Sequence, residues 1–265
     1  MDSSRLETIA SLSEYVLGTG VHVMNYSSAA THVAKWVFEH ARPARYVLQA
    51  NVNSLVSALE DGHYRKATLN ATLSLPDGMP VVWLLRLKGH AIRERVYGPD
   101  LMLLLCAEAA KLGWRCFLYG GAPGVPEQLK RVLEARFPGI NIVGTYSPPF
   151  RPLTPEEDAQ ICRMINAAKP DILWVGLGSP KQDMWMYEHR DKLDVSVMHG
   201  VGAAFDFLTG RVKQAPRWMM NMGLEWFWRL MIEPRRLWKR YTITNAKFLW
   251  YLVTYGMRTS LKRHR

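Results

Sequence analysis

The sequence predicts an α/β domain with a mainly parallel sheet, followed by a basic, aromatic, helical C-terminal appendage. Up to about Gly210, short β-rich runs alternate with longer amphipathic stretches, the pattern of strands joined by crossover helices. The runs end in glycine, asparagine or another turn-former, and ligand groups belong on the loops at the carboxyl ends of such strands. From Arg217 onward, eleven basic residues face two acidic ones. This tail therefore holds +9 of the net +11, along with five of the ten tryptophans.

Strands are predicted over 46–52 (YVLQANV), 115–121 (RCFLYGG), 140–146 (INIVGTY), 171–178 (DILWVGLG) and 195–202 (VSVMHGVG), and helices over 100–113, 126–139 and 154–170. The last helix opens on Thr154, whose hydroxyl can cap it, with acidic residues in a first turn that favours negative charge. Strand, glycine-rich turn and helix recur from 115 to 202, which makes the sheet Rossmann-like. There is no internal repeat or low-complexity linker. The chain is expected to leave the α/β domain within QAPRW (214–218), dividing it into a catalytic domain over 1–216 and a membrane-binding appendage over 217–265.

A chain of 265 residues with 48% hydrophobic and 22% charged residues can bury one sizeable core, which excludes disorder throughout. Cys106, Cys116 and Cys162 stand singly and read as buried thiols in a reducing cytoplasm. The N-terminus lacks the basic region and clean apolar stretch of a signal peptide. No charge-free apolar run reaches about 18 residues, so no spanning helix is expected. The clustered Trp, Lys and Arg of the tail suit a membrane interface, where rings settle at headgroup depth and cations meet lipid phosphates. A solvated terminal helix and a nucleic-acid patch are the competing readings.

SLPDGMPVVW (74–83) sets Asp77 between Pro76 and Gly78, in a turn that presents its carboxylate. That suits a general base taking a proton from an incoming hydroxyl; closing a turn with Gly78 is the plainer role. Asn51, at a strand end, can donate and accept towards a sugar hydroxyl or the base. Arg95, in RERVYGPD, could fork onto a diphosphate or pair with Glu94 or Asp100 at the surface.

FLYGGAPGVPEQL (117–129), with Tyr119, Gly120 and Gly121, is a strand, glycine turn and helix whose free N–H groups could bind phosphate. It matches neither a Walker A loop nor a G-x-G-x-x-G site, which argues against phosphate-transfer and nicotinamide chemistry. Tyr146 in GTYSPPF could stack on a base. In WVGLGSPKQDMW (174–185), Gly176 and Gly178 lead to Ser179, a candidate cap, and Pro180, a first-turn proline. Lys181 and Gln182 are then expected to face the ligand. With no Asp-x-Asp, no H-E-x-x-H and scattered histidines, no metal or other cofactor is expected.

Across about 45–241, the motifs NVNSLV, PDGMPVVW, RVYGPDLM, YGGAPGV, VGTYSPPF, PDILWVGLGSPKQD, GVGAAFDFLTG and GLEWFWRLMIEPRRLWKRY occur in one order. They resemble the WecG/TagA/CpsF family of bacterial glycosyltransferases, glycosyltransferase family 26. The resemblance implies an inverting, metal-independent transfer from a UDP-sugar to a sugar on a polyprenyl diphosphate, usually with a β-1,4 linkage. It implies Asp77 as the base and Asn51, Arg95 and Gln182 as substrate-contacting positions. It further implies an appendage that helps close the site, to which Arg229, Arg235 and Arg236 would contribute, and that holds the enzyme to the inner face of the cell membrane. Many members carry Thr where this chain has Gln49, so Gln49 could reshape donor recognition. NVNSLV and SPPF are closer to the exopolysaccharide branch, whose donor is UDP-glucose, than to the teichoic-acid branch with its N-acetylmannosamine donor. No nucleic-acid partner is implied.

Overall fold

The computed structural model describes residues 13–263, apart from the side chains of Arg236, Arg240 and 255–263. The chain opens with the hairpin β1 (Ser13–Val16) and β2 (Thr19–His22), then α1 (Tyr26–Phe38), β3 (Arg45–Ala50), α2 (Val52–Glu60), α3 (Gly62–Leu69), β4 (Leu73–Pro76) and α4 (Met79–Leu87). It continues with α5 (Gly98–Leu112), β5 (Arg115–Gly120), α6 (Val125–Arg136), β6 (Asn141–Tyr146), α7 (Pro155–Ala168), β7 (Ile172–Gly176), α8 (Lys181–His189), β8 (Val197–Gly200) and α9 (Ala204–Leu208). The last helices are α10 (Arg217–Asn221), α11 (Glu225–Ile232) and α12 (Pro234–Arg263).

Six strands pair in parallel in the order β4-β3-β8-β7-β5-β6. Side chains alternate between faces with the strand period of two. Val47, Cys116, Leu118, Ile172 and Trp174 enter one core with α1, α5 and α6. Tyr46, Leu48, Phe117, Tyr119, Leu173 and Val175 enter the other, under α7 and α8. Both faces are thus covered, as a parallel sheet requires.

All five expected strands form, some shorter than their sequence runs, and α5, α6 and α7 fall on the expected helices. The expected strand over 46–52 stops at Ala50 because Asn51 turns the chain and caps α2 through Ser54. Thr154 closes a capping box with Glu157, as its position suggests. The four-residue β4, unmarked in sequence, is held between β3 and the hairpin, where His22 Nδ1 accepts a hydrogen bond from Ser74 N at 3.0 Å. An edge donor is thereby satisfied.

The basic helices pack back onto the α/β body. Phe248 is buried with Leu55, Val82 and Ile92, and Glu60 accepts from Lys247 at 3.0 Å and Tyr251 at 2.9 Å. The opposite side of α12 leaves Trp238, Leu249, Trp250 and Val253 exposed. Among the described residues, no helix is long and apolar enough to cross a membrane.

Candidate active site

The carboxyl ends of the parallel strands gather the candidate residues along one rim. Asn51 follows β3, Asp77 follows β4, Gly120 and Gly176 end β5 and β7, Gly200 ends β8, and Tyr146 ends β6. Gly120, at φ +125°, could not be otherwise, since a Cβ there would lie 2.6 Å from the Gly176 carbonyl carbon. Gly121 N closes the pair by donating to Gly176 O at 3.0 Å.

Asp77 sits in the tight connection between β4 and α4. Its Oδ1 accepts from Gly98 N at the start of α5, at 3.3 Å. Burial pushes the carboxyl up to about 6, against the pull of the Arg95 guanidinium. The Glu225 carboxylate adds to the rise, while Gly98 N and the Asn51 side chain favour the charged form. A carboxylate poised there is largely ionised at neutral pH and can still accept a proton.

Arg95 is held on three sides. Its Nη1 donates to the Asp77 carbonyl oxygen at 3.2 Å, its Cζ lies 4.2 Å above the Tyr97 ring, and its Nη2 pairs with Glu225 Oε2 at 2.7 Å. Glu225 Oε1 also accepts from Tyr97 OH at 3.2 Å, and that hydroxyl accepts from Gln214 Nε2 at 3.1 Å. Sequence reasoning missed Glu225, Tyr97 and Gly98. Only GLEW, within a motif read as appendage, carried a signal for Glu225. The ion pairs weighed for Arg95 are also replaced, since Asp100 binds Arg217 at 2.5 Å and Glu225 takes Arg95.

Asn51 spends its Oδ1 on Ser54 N at 3.1 Å, leaving its amide to face Asp77 and the Gln49 carbonyl. Gln49 is buried beneath them. Its Nε2 lies 2.8 Å from His199 Nε2. Burial holds His199 down at about 3, so it is neutral. Gln49 Oε1 has no partner among the described residues.

Lys181 and Gln182 part company. Gln182 is buried, and its Oε1 accepts from Gly178 N at 3.1 Å and Gly202 N at 3.0 Å. It thus ties the β7 loop to the β8 loop. Lys181 is exposed, 5.7 Å from the Phe150 ring. Ser179 differs from its expected capping role: α8 has no side-chain cap, and Ser179 Oγ donates to the buried Asp183 Oδ2 at 2.6 Å. Tyr119 stacks on Trp185 at 4.4 Å and on Tyr146 at 6.2 Å.

Two cavities open on this rim. One, of 420 Å³, reaches Arg95 and Tyr97, and the other, of 410 Å³, is lined by Tyr119, Leu177 and Lys181. Arg229 lies 5.5 Å from the Phe207 ring, on the side of α11 that meets the body. Arg235 is exposed on α12, and the Arg236 side chain lies outside the described residues. Among those residues, Asp158, Cys162 and His189 are the one group with metal-ligand spacing. They lie on α7 and α8, where His189 Nε2 already meets Asp158 Oδ1 at 2.8 Å and Lys192 approaches the same carboxylate at 3.4 Å.

Residues 14–262 match the profile described as glycosyl transferase WecG/TagA/CpsF family. One relative, the N-acetylglucosaminyldiphosphoundecaprenol N-acetyl-beta-D-mannosaminyltransferase of Bacillus subtilis (strain 168), is 34% identical over 184 residues, covering 69% of this chain and 70% of its own length. The strand-end rim, the Asp77 connection and the appendage all fall within that profile, and the chain belongs to the WecG/TagA/CpsF family of glycosyltransferases.

Proposed function

We propose that this glycosyltransferase moves a sugar from a UDP-sugar onto a saccharide linked to a polyprenyl diphosphate, with inversion at the anomeric carbon and Asp77 as general base. The carrying observation is Asp77 itself: a carboxyl raised to about 6, set at a strand end beside a fixed guanidinium. Asp77 takes the proton of the acceptor hydroxyl as its oxygen attacks the anomeric carbon, and the bond from that carbon to UDP breaks on the opposite face. Inversion then needs no second, nucleophilic carboxylate.

The departing diphosphate needs positive charge. Arg95 offers a guanidinium in fixed orientation beside Asp77, able to share its charge between Glu225 and an arriving diphosphate, and the absence of an Asp-x-Asp motif agrees with a reaction that uses no divalent cation. Tyr146 offers aromatic surface for a base on the other side of the rim, with the buried Tyr119 stacked behind it. Support for a lipid diphosphate acceptor comes from the name of the Bacillus subtilis relative, which is an N-acetylmannosaminyltransferase acting on a diphosphoundecaprenol-linked N-acetylglucosamine. NVNSLV and SPPF favour an exopolysaccharide role, with glucose or N-acetylmannosamine as the donor sugar and a β-1,4 linkage. The exposed Trp238 and Trp250 beside basic residues of α12 suit a peripheral position on the inner membrane face.

The test is UDP release from a panel of UDP-sugars in EDTA, with and without a short-chain polyprenyl diphosphate saccharide, on wild type and Asp77→Asn. Acceptor-dependent release by wild type alone is expected. Release by Asp77→Asn at the wild-type rate would remove Asp77 as the base, and release only with an added divalent cation would overturn metal independence.

A further inference from the structure

We infer that the cavity between α4, the 93–97 segment and α10 holds the diphosphate of the lipid-linked acceptor, with Arg93 and Arg86 as its phosphate contacts and the Trp83 indole as the first contact of the prenyl chain. The inference rests on the proposed transfer reaction and assigns its second substrate a place. The cavity measures 420 Å³, within the range of a small-ligand site. It adjoins Asp77 through Arg95, whose Nη1 bonds the Asp77 carbonyl, and through Tyr97.

Charge argues for the ligand. Four guanidinium groups line the cavity, with Glu94 and Asp100 as the carboxylates. Arg217 is neutralised by Asp100 at 2.5 and 2.9 Å, and Arg95 by Glu225 at 2.7 Å. Arg86 Nε donates to the Ile92 carbonyl at 2.8 Å and its Nη2 to the Arg93 carbonyl, so hydrogen bonds fix it while its charge stays uncompensated. Arg93 makes no ion pair among the described residues and is exposed. Arg86 and Arg93 thus stand as two cations against the single exposed Glu94. A diphosphate diester, with one negative charge on each phosphate, complements such a pair, and guanidinium forks bind it through parallel hydrogen bonds.

The apolar side argues for a lipid. Trp83 lines the same cavity and is 42% exposed. Gly223, at φ +71°, lets the indole lie against the turn between α10 and α11, where a Cβ would meet Trp83 Cη2 at 2.9 Å. Leu87, Trp218 and Met222 are exposed on the same two elements, α4 and the α10 turn. A cationic pocket bordered by exposed aromatic and aliphatic side chains fits an isoprenoid diphosphate, whose chain can leave the pocket along Trp83 and Leu87.

The experiment measures binding of farnesyl diphosphate, inorganic pyrophosphate and UDP to the full chain, for wild type, Arg93→Glu and Trp83→Ala. Loss of a charge-assisted contact predicts that Arg93→Glu weakens farnesyl diphosphate by about tenfold or more and leaves UDP within about twofold. Trp83→Ala is expected to weaken farnesyl diphosphate while leaving pyrophosphate unchanged. In turnover, Arg93→Glu should raise the acceptor KM and leave the UDP-sugar KM alone. Unchanged farnesyl diphosphate binding in Arg93→Glu, or none by wild type, would overturn the assignment, as would a parallel loss of UDP, which would give this cavity to the donor. Acceptor-dependent UDP release by wild type reports on the proposed reaction separately, so a misplaced acceptor and a mistaken activity give different results.

Discussion

Arg95, on the segment before α5, and Glu225, on α11, form an ion pair at 2.7 Å with side chains only 11% and 17% exposed. The appendage therefore reaches the proposed base, Asp77, through one residue, because Arg95 also bonds the Asp77 main chain. The ion pair thus joins two segments far apart in sequence, one proposed for anchoring and one for chemistry.

Glu225→Gln should show that coupling in the pH profile. The Glu225 carboxylate helps raise the Asp77 pKa, so its neutralisation should move the acid limb of kcat/KM to lower pH. It should also cost about 2 kcal/mol of stability, less than a fully buried pair because some solvent reaches both groups. Chemical denaturation and a pH series on the same variant check both. An unmoved acid limb with lowered stability would leave Glu225 as a fastener alone.

Asp77 carries opposite consequences for activity and stability. As a base it must be ionised, so kcat/KM should rise with pH through about 6 and level above it. Its folded pKa lies above the ordinary 3.8, so the fold binds this proton more tightly than the unfolded chain does. That contribution is full below pH 3.8 and is lost as pH rises through 6, a difference on the order of 3 kcal/mol at neutral pH. Asp77→Asn should therefore abolish turnover yet raise Tm by a few degrees, because the Arg95 bonds to Glu225 and to the residue 77 carbonyl survive. Calorimetry at pH 7.5 and pH 4 should show the gain shrinking in acid.

How much of this was legible in sequence follows from what each residue depends on. Unbroken apolar runs announced the sheet because burial on both faces demands them. Thr154 announced α7 because its cap is local, the bonding group lying three residues away. Asp77 stood out through its turn, although β4 did not, since four residues held by a hairpin 52 positions distant leave no periodic signal. Glu225, Gln214 and His199 were illegible for the same reason: each acts on a partner more than a hundred residues away.

Gln182 tests whether a polar side chain taken for a ligand contact works through the backbone. Gln182→Ala would leave the part-buried Gly178 N and Gly202 N without their shared acceptor, a cost of about 1–3 kcal/mol. Faster hydrogen exchange at both amides should accompany it. Donor KM should rise more than kcat falls, because the loops it ties frame the rim without touching the transferred proton. Exchange rates matching wild type would mean that another group holds the loops together.

Membrane attachment is best tested without removing the appendage. Deleting it would expose the cluster around Phe248 and strip Arg95 of its partner, so lost activity would say little about lipid. Leu249 and Trp250 are 63% and 66% exposed on α12, away from the buried Phe248, and their replacement by Glu leaves those contacts intact. If this face enters the headgroup layer, burying each side chain contributes about 1.5–3 kcal/mol. The double variant should then partition onto anionic liposomes at least tenfold less while keeping the wild-type Tm. High salt should release wild type only in part, because the aromatic contribution is unscreened. Full release by salt, with no effect of the double variant, would make the attachment electrostatic and assign it to the basic residues alone.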